Sequence, residues 1–345
     1  MFRRAFIQRC ATGLMVSLAV TACSVPTESG GSGEPSAQKV DGQPVVAYAQ
    51  SELINSWRVA NQTDMEQKAQ DRGIKLISTN ANQDPAKQLS DVQNLLAQKP
   101  NVLVVSPLDS KALVPVVGMA DRAGVPLVII DRTIDAAPGE GQYKTVIAQS
   151  HVDSGKLLAE KTVELLKEKN GSPSGSVVHV QGQAGASPVV DANKGWDEVM
   201  TQYPDIKTVG TADAGFTKQG GIKVMEDFLQ RFPKGKIDVV RTDYSDMTMG
   251  AIQATKAAGR SELLGYMVGE GGQRDAIKAV IDGDIARETQ TPPFFGDLAL
   301  DSAMKIINGE SVPTNQPVPI KVFDANKKDQ AQKYYDEIQT KKSEF

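Results

Sequence analysis

Residues 102–132 read VLVVSPLDSKALVPVVGMADRAGVPLVIIDR. Two unbroken apolar runs, 102–105 and 126–130, bracket a segment with helical character over 110–123 that stops at Gly124. Glycine is the usual residue just past a helix, because it enters the left-handed backbone region without steric cost. A strand with no polar face needs cover on both sides, and a parallel sheet between helical layers supplies it. The stretch therefore sets an α/β fold. It also places Asp131-Arg132 directly at a strand's carboxyl end, where open α/β sheets bind their ligands.

The same alternation extends in both directions. Upstream, Val45 to Ala49 is a buried strand, 56–72 an amphipathic helix closed by Gly73, and Lys75 to Ser78 the next strand. Asp84-Pro85 starts a helix with a capping side chain and a proline at its first position, followed by Leu89, Val92, Leu95 and Leu96 at helical spacing. Downstream the pattern restarts after residue 145, with strands near 145–148, 176–180, 208–210, 238–240 and 264–268. Helices are expected over 153–168, 188–203, 217–232, 247–258 and 273–282. The fold class is α/β, with two doubly wound parallel-sheet lobes in tandem.

The N-terminus has a different texture. Arg3 and Arg4 precede an apolar run that ends in Val20-Thr21-Ala22-Cys23. Basic residues, a hydrophobic stretch and a small-residue site make a secretory signal, and the cysteine that follows makes it a bacterial lipoprotein signal. Residues 1–22 are then removed and Cys23 is lipidated, which tethers the chain to a membrane face outside the cytoplasm. Arg3-Arg4-Ala5-Phe6-Ile7 also matches a twin-arginine export pattern, which leaves the export route open. Residues 23–43 are rich in Gly, Ser and Pro and read as a flexible linker.

Composition narrows the function classes. The chain has 345 residues, 40% hydrophobic and 23% charged, enough for two domains and a large core. Its formal charge is −4, and more negative once the signal's arginines are gone, so nucleic acid is not an expected partner. The two cysteines are Cys10 and Cys23. One leaves with the signal and the other carries lipid, so no disulfide, cysteine metal site or cysteine nucleophile is expected. The two histidines, His151 and His179, are too far apart in sequence to suggest a metal site. No nucleophile elbow or Walker loop is present, so the chain reads as neither an enzyme nor a cofactor protein.

The residues that follow each strand are the candidates for binding. Asp131-Arg132 combines an acceptor with a planar five-donor fork, suited to clamping hydroxyls or to forming a structural ion pair. Asn55-Ser56-Trp57-Arg58 sits at the first strand-to-helix turn, where Trp57 reads either as core or as a face for a sugar ring, with Arg58 adding donors. Phe216, in the second half, is a candidate opposing wall or a hydrophobic staple on the next helix.

Several segments, in order, carry a family resemblance. They are Ser56-Trp57-Arg58, Pro126 to Arg132, Gln181-Gly182 with Gly185-Ala186-Ser187, Phe216-Thr217-Lys218, Asp246 to Ala254, and Asp275 to Ala279. Through them the chain, over about residues 44–320, resembles the type I periplasmic sugar-binding proteins of ABC importers, in the ribose- and galactofuranose-binding group. The resemblance implies two lobes joined by three crossing strands, with hinge closure on a sugar or related polyol. It implies crossings near 146–150, 268–272 and 289–292. The lobes would then be 44–147 plus 270–289 and 148–269 plus 290–325, followed by a tail over 326–345. Asp131 and Arg132 would clamp hydroxyls, and Trp57 and Phe216 would stack on the ring. Asn55 and Asp191 match weaker positions, and Gln290 falls near the third crossing. The usual acidic contacts of the second lobe are altered, which leaves Asp246 and Glu270 as stand-ins and raises a different polyol or a sugar acid as ligand. The implied partners are permease and ATPase subunits of an importer, served by a monomer. A sensing module that presents its closed form to a chemoreceptor or sensor kinase is the alternative.

Overall fold

A computed structural model describes residues 42–340. The signal, Cys10, Cys23 and most of the linker lie outside the described residues, as does the end of the expected tail. Among the described residues no helix is long and apolar enough to cross a membrane.

The first sheet is built from β1 (Val45–Gln50), β2 (Lys75–Asn80), β3 (Val102–Val105), β4 (Leu127–Ile130) and β5 (Tyr143–Gln149). Helices α1 (Ser56–Asp71), α2 (Pro85–Ala97) and α3 (Pro115–Ala123) connect them. All four residues of β3 and of β4 are fully buried, as strands covered on both faces must be. The chain then runs through α4 (His151–Asn170), β6 (Gly175–Gln181), α5 (Ser187–Met200), β7 (Ile206–Asp213), α6 (Lys218–Arg231) and β8 (Val239–Thr242). It continues through α7 (Ser245–Ala257), β9 (Met267–Gly271), α8 (Arg274–Asp282), β10 (Arg287–Gln290), α9 (Gly296–Ile307), β11 (Asn315–Val318), β12 (Val322–Asp324) and α10 (Lys328–Thr340).

The first sheet has the order β11-β5-β4-β3-β1-β2 and the second β12-β10-β9-β8-β6-β7. Every pairing is parallel except β10 with β12. In each sheet the strand order reverses once, between β1 and β3 and between β6 and β8, and ligands of doubly wound sheets bind above such reversals.

Local sequence accounts for the element ends. The Asn55 side chain accepts from the Arg58 amide at 3.0 Å and caps α1, and Asp84 caps α2 ahead of Pro85. Gly124 closes α3 in the left-handed region, at φ 65°. α3 begins at Pro115 rather than at 110, because Asp109 Oδ1 accepts the amides of Lys111 and Ala112 and holds a turn there.

The lobe boundaries differ from the expected ones. Segment 270–289 stays in the second lobe, where β10 pairs with β9 and α8 buries Ala276, Ile277, Ala279 and Val280. α9 and β11 return to the first lobe, with β11 extending the sheet beside β5. The crossings therefore fall after β5, between β10 and α9, and between β11 and β12. There is none at 268–272, because β9 is an interior strand of the second sheet. Nor is 326–340 a tail. Residues Ala331, Tyr334 and Ile338 are spaced along one face of α10 and buried in the core, with the Tyr334 ring 4.8 Å from that of Phe323.

Candidate functional site

Polar side chains gather above the strand reversal of the first sheet. Glu52 follows β1, Arg58 projects from the first turn of α1, Ser106 follows β3, and Asp131 and Arg132 follow β4. Arg58 Nη1 lies 2.8 Å from Asp131 Oδ2 and donates to Ser106 Oγ at 2.9 Å. Its Nε is 3.4 Å from Glu52 Oε1, and Arg132 Nη2 meets the same oxygen at 2.7 Å. None of these four charged residues is more than 4% exposed. Two guanidiniums face two carboxylates, so the network is neutral within its own lobe. Burial and the neighbouring Arg58 pull Arg132 below its ordinary value, yet a guanidinium stays protonated.

Asp131 sits at φ 65° and Phe216 at φ 58°. A bulky side chain is an outlier in that region, and such strain gathers at functional positions. Phe216 follows β7 in the second lobe, and its ring stands 5.4 Å from the Arg132 guanidinium carbon of the first. A Cβ at Gly182 would collide with that ring, which is why glycine stands there. Trp57 is both a core residue and part of the cavity wall. It packs on Phe295 with ring centroids 6.1 Å apart, donates from Nε1 to the Thr291 carbonyl at 2.7 Å, and lines the cavity.

The second lobe contributes two carboxylates. Asp243, just past β8, accepts from His179 Nε2 at 2.8 Å and from the Gly182 amide at 3.0 Å, with Arg241 Nη2 at 3.3 Å. Burial alone would raise its pKa, but His179, Arg241 and the amide hold it at about 2. Glu270, in β9, has three partners on Oε1: Gln149 Nε2 at 2.9 Å, Thr291 Oγ1 at 3.2 Å and His151 Nδ1 at 2.6 Å.

Between the lobes these groups enclose a cavity of about 40 Å³, lined by Asn55, Trp57, Arg58, Asp131, Arg132, His151, Phe216, Asp243 and Glu270 among others. That is room for about three water molecules. Hydrogen bonds close the lobes over it: Asn55 Nδ2 to the Phe216 carbonyl at 3.2 Å, the Thr133 amide to Ser187 Oγ at 2.8 Å, and Gln273 to Ser56. On lining residues, Arg132 Nε and His151 Nε2 are among the buried atoms with no hydrogen-bond partner among the described residues. Buried polar atoms nearly always have partners, so these two are set to receive one.

The structure thus brings together Asn55, Trp57, Arg58, Asp131, Arg132, Phe216 and Glu270 of the expected set. It does not bring in the other three. Asp246 faces a separate, wider cleft of about 380 Å³ beside Lys218, Gln273 and Arg274, because α7 begins at Ser245 and turns it away from the sheet edge. Asp191 is half-buried on α5 and acts on the charge of His151 without lining the cavity. Gln290 is buried and donates to the Tyr334 hydroxyl, a contact made by the helix that was read as a tail. Asp243, one position past β8, joins the cavity without having been singled out in the sequence, and His151, which follows β5, faces the cleft although it is not in the expected set. The second lobe therefore places a carboxylate at the cavity three residues before the one expected.

Two doubly wound lobes, closed by three crossings over a cavity of paired carboxylates and guanidiniums, define a two-lobed solute-binding protein. The periplasmic binding protein domain family matches residues 46–311, and the chain belongs to it. It is 31% identical over 278 residues to the ribose import binding protein of Bacillus subtilis, covering 80% of this chain and 86% of that one. It is 31% identical over 270 residues to a galactofuranose-binding protein of Escherichia coli, covering 78% and 83%. Among solved structures, a Mycobacterium smegmatis protein in complex with β-D-fucofuranose superposes with a TM-score of 0.79 at 28% identity, covering 86% of this chain and 96% of that one. The family is a binding component of transport rather than an enzyme family.

Proposed function

We propose that this protein captures a neutral sugar or polyol between its lobes and delivers it to an ABC importer. The observation that carries the reading is the charge balance of the cavity. Arg58 and Arg132 are matched by Glu52 and Asp131, Asp243 by Arg241, and Glu270 by His151. A charged ligand would bury one charge without a counterion, which costs several kcal/mol, whereas hydroxyls pair with the carboxylates and with the free guanidinium nitrogen Arg132 Nε. This favours a neutral ligand over a sugar acid. Relatives named for ribose and galactofuranose support the same class.

A sugar ring needs more than about 40 Å³, so the lobes part to admit it. The closed form is then what permease subunits read. Asp131, Arg132 and Arg58 hold hydroxyls from one side, Asp243 and Glu270 from the other, and Trp57 and Phe216 cover the ring. The Cys23 signal places this monomeric binder on a lipid anchor outside the cytoplasm, where a tether raises its concentration beside the permease.

Thermal-shift screening against neutral pentoses, hexoses and pentitols and against uronic acids tests the ligand class. Stabilisation by at least one neutral compound and by no uronic acid is expected; the reverse pattern overturns the proposal. Mass spectrometry of the membrane-extracted protein should find lipid on Cys23; an unmodified thiol there would overturn the anchor.

A further inference from the structure

His151 starts α4 at the first crossing between the lobes. Its ring is 5% exposed and lines the cavity. Nδ1 is committed to Glu270, whose same oxygen also holds Gln149 of β5 and Thr291, which follows β10 at the second crossing. That commitment fixes the ring. The other nitrogen, Nε2, is buried and has no hydrogen-bond partner among the described residues.

We infer that His151 Nε2 is a ligand contact that ties binding to a proton, donating to a hydroxyl or ring oxygen of the sugar while Nδ1 is held by Glu270. The inference rests on the sugar-binding reading above and deepens it. The two ring nitrogens divide the work. In the singly protonated ring Nδ1–H goes to Glu270, and Nε2 only accepts. In the doubly protonated ring Nε2 also donates. A ring oxygen is served by the second state alone, and a hydroxyl by both. The ring's neighbours favour the donating state. Glu270 from β9, Asp131 at the end of β4 and Asp191 on α5 all act on it, and Arg241 on β8 acts on Glu270. Burial pushes the imidazole pKa down, but the charge and hydrogen bond of Glu270 more than offset this, and the net direction is upward.

No covalent step is involved: one proton is taken up on binding at high pH and given back on release. The hinge shares in it, since the carboxylate that holds the ring also binds a residue at each of two of the three chain crossings. Protonation, ligand contact and lobe closure meet at one oxygen of Glu270.

The test uses the full chain and the neutral sugar that stabilises it most among D-ribose, D-galactose, L-arabinose and xylitol. Calorimetry is run at about pH 6 and about pH 9, either side of the ordinary histidine range, in buffers of different ionisation heat. The unaltered protein is expected to bind about tenfold more weakly at the higher pH and to take up a proton there. His151→Asn is expected to lose about tenfold to a hundredfold in affinity at the lower pH and to show no proton uptake, as for loss of a charged donor. His151→Gln should recover part of the affinity while its binding stays independent of pH. Wild-type affinity and proton uptake in His151→Asn would overturn the inference. Because the chain has only two histidines, a second readout needs no variant. An NMR titration of the imidazole signals should show the His151 pKa rising further when sugar is bound, and an unchanged value would overturn the inference. If no panel sugar binds the unaltered protein, the sugar-binding reading fails first and this inference with it.

Discussion

The two lobes meet the ligand with different chemistry. In the first lobe each acid of the cavity network is answered by an arginine of the same lobe, so the Glu52–Arg58–Asp131–Arg132 network needs no partner from the other lobe. In the second lobe the acids depend on more varied partners. Asp243 has a histidine, an arginine and a backbone amide. Glu270 relies on a residue of each of two crossings. Glu288, in β10, has no cation partner among the described residues: Ser245 Oγ donates to it at 2.6 Å and the Gly272 amide at 3.2 Å, and its Oε2 is buried without a hydrogen-bond partner among them. The first lobe is a preorganised clamp, and the second is the side where closure and protonation act.

Breaking the clamp should have the largest effect. Arg58→Met leaves Glu52 without one of its two guanidiniums and Asp131 without its own, and should cost about 3–5 kcal/mol of stability in urea denaturation. A loss under about 1 kcal/mol would show that the network is not the unit described.

The unpaired acid of the second lobe should show itself in the pH dependence of stability. Burial raises the Glu288 pKa to about 7, and the nearby Glu270 adds to this against the Ser245 and Gly272 hydrogen bonds. Its folded value lies above the ordinary 4.5, so the folded state binds the extra proton between those values and stability falls as pH rises through that window. The loss is about 3 kcal/mol by alkaline pH. Melting temperatures at about pH 5 and about pH 8 should differ in the native protein and converge in Glu288→Gln; an unchanged difference in the variant would assign the dependence elsewhere. Asp243 works in the opposite sense. Its depressed value stabilises the fold above the ordinary 3.8, by about 2 kcal/mol, and that contribution fades as pH falls toward 2.

The smallest of these effects concerns the seam between lobes. Gly182→Ala pushes a methyl group into the Phe216 ring and should cost about 1–3 kcal/mol, felt in sugar affinity because the ring closes the cavity. Wild-type affinity in that variant would remove Phe216 from the site.

The same contrast explains what was legible in the sequence. The clamp of the first lobe lies at strand ends that follow fully apolar runs, so Asp131 and Arg132 could be placed by inspection, and Trp57 and Arg58 by the turn before them. In the second lobe β8 ends in Arg241-Thr242 and the next helix begins only at Ser245, so Asp243 rather than Asp246 holds the strand-end place. Three positions along the chain separate Asp243 at the smaller cavity from Asp246 at the wider cleft. The crossing expected at 268–272 fails for a related reason. β9, α8 and β10 form an ordinary parallel unit, and nothing local distinguishes an interior strand from one that leaves the sheet. Gln290 could not be read because its partner Tyr334 lies forty-four residues away, in a helix taken for a tail. Periodicity at Ala331, Tyr334 and Ile338 was the available signal for that helix.

On the proposed function, one neutral sugar or polyol is held by both lobes at once in the smaller cavity. A crystal structure of the protein with its best-stabilising neutral ligand tests it most directly. The expected result is a ligand with hydroxyl oxygens within hydrogen-bond distance of both Asp131 and Asp243, covered by Trp57 and Phe216. A ligand seated instead in the wider cleft beside Asp246 and Arg274, or touching one lobe only, would contradict it.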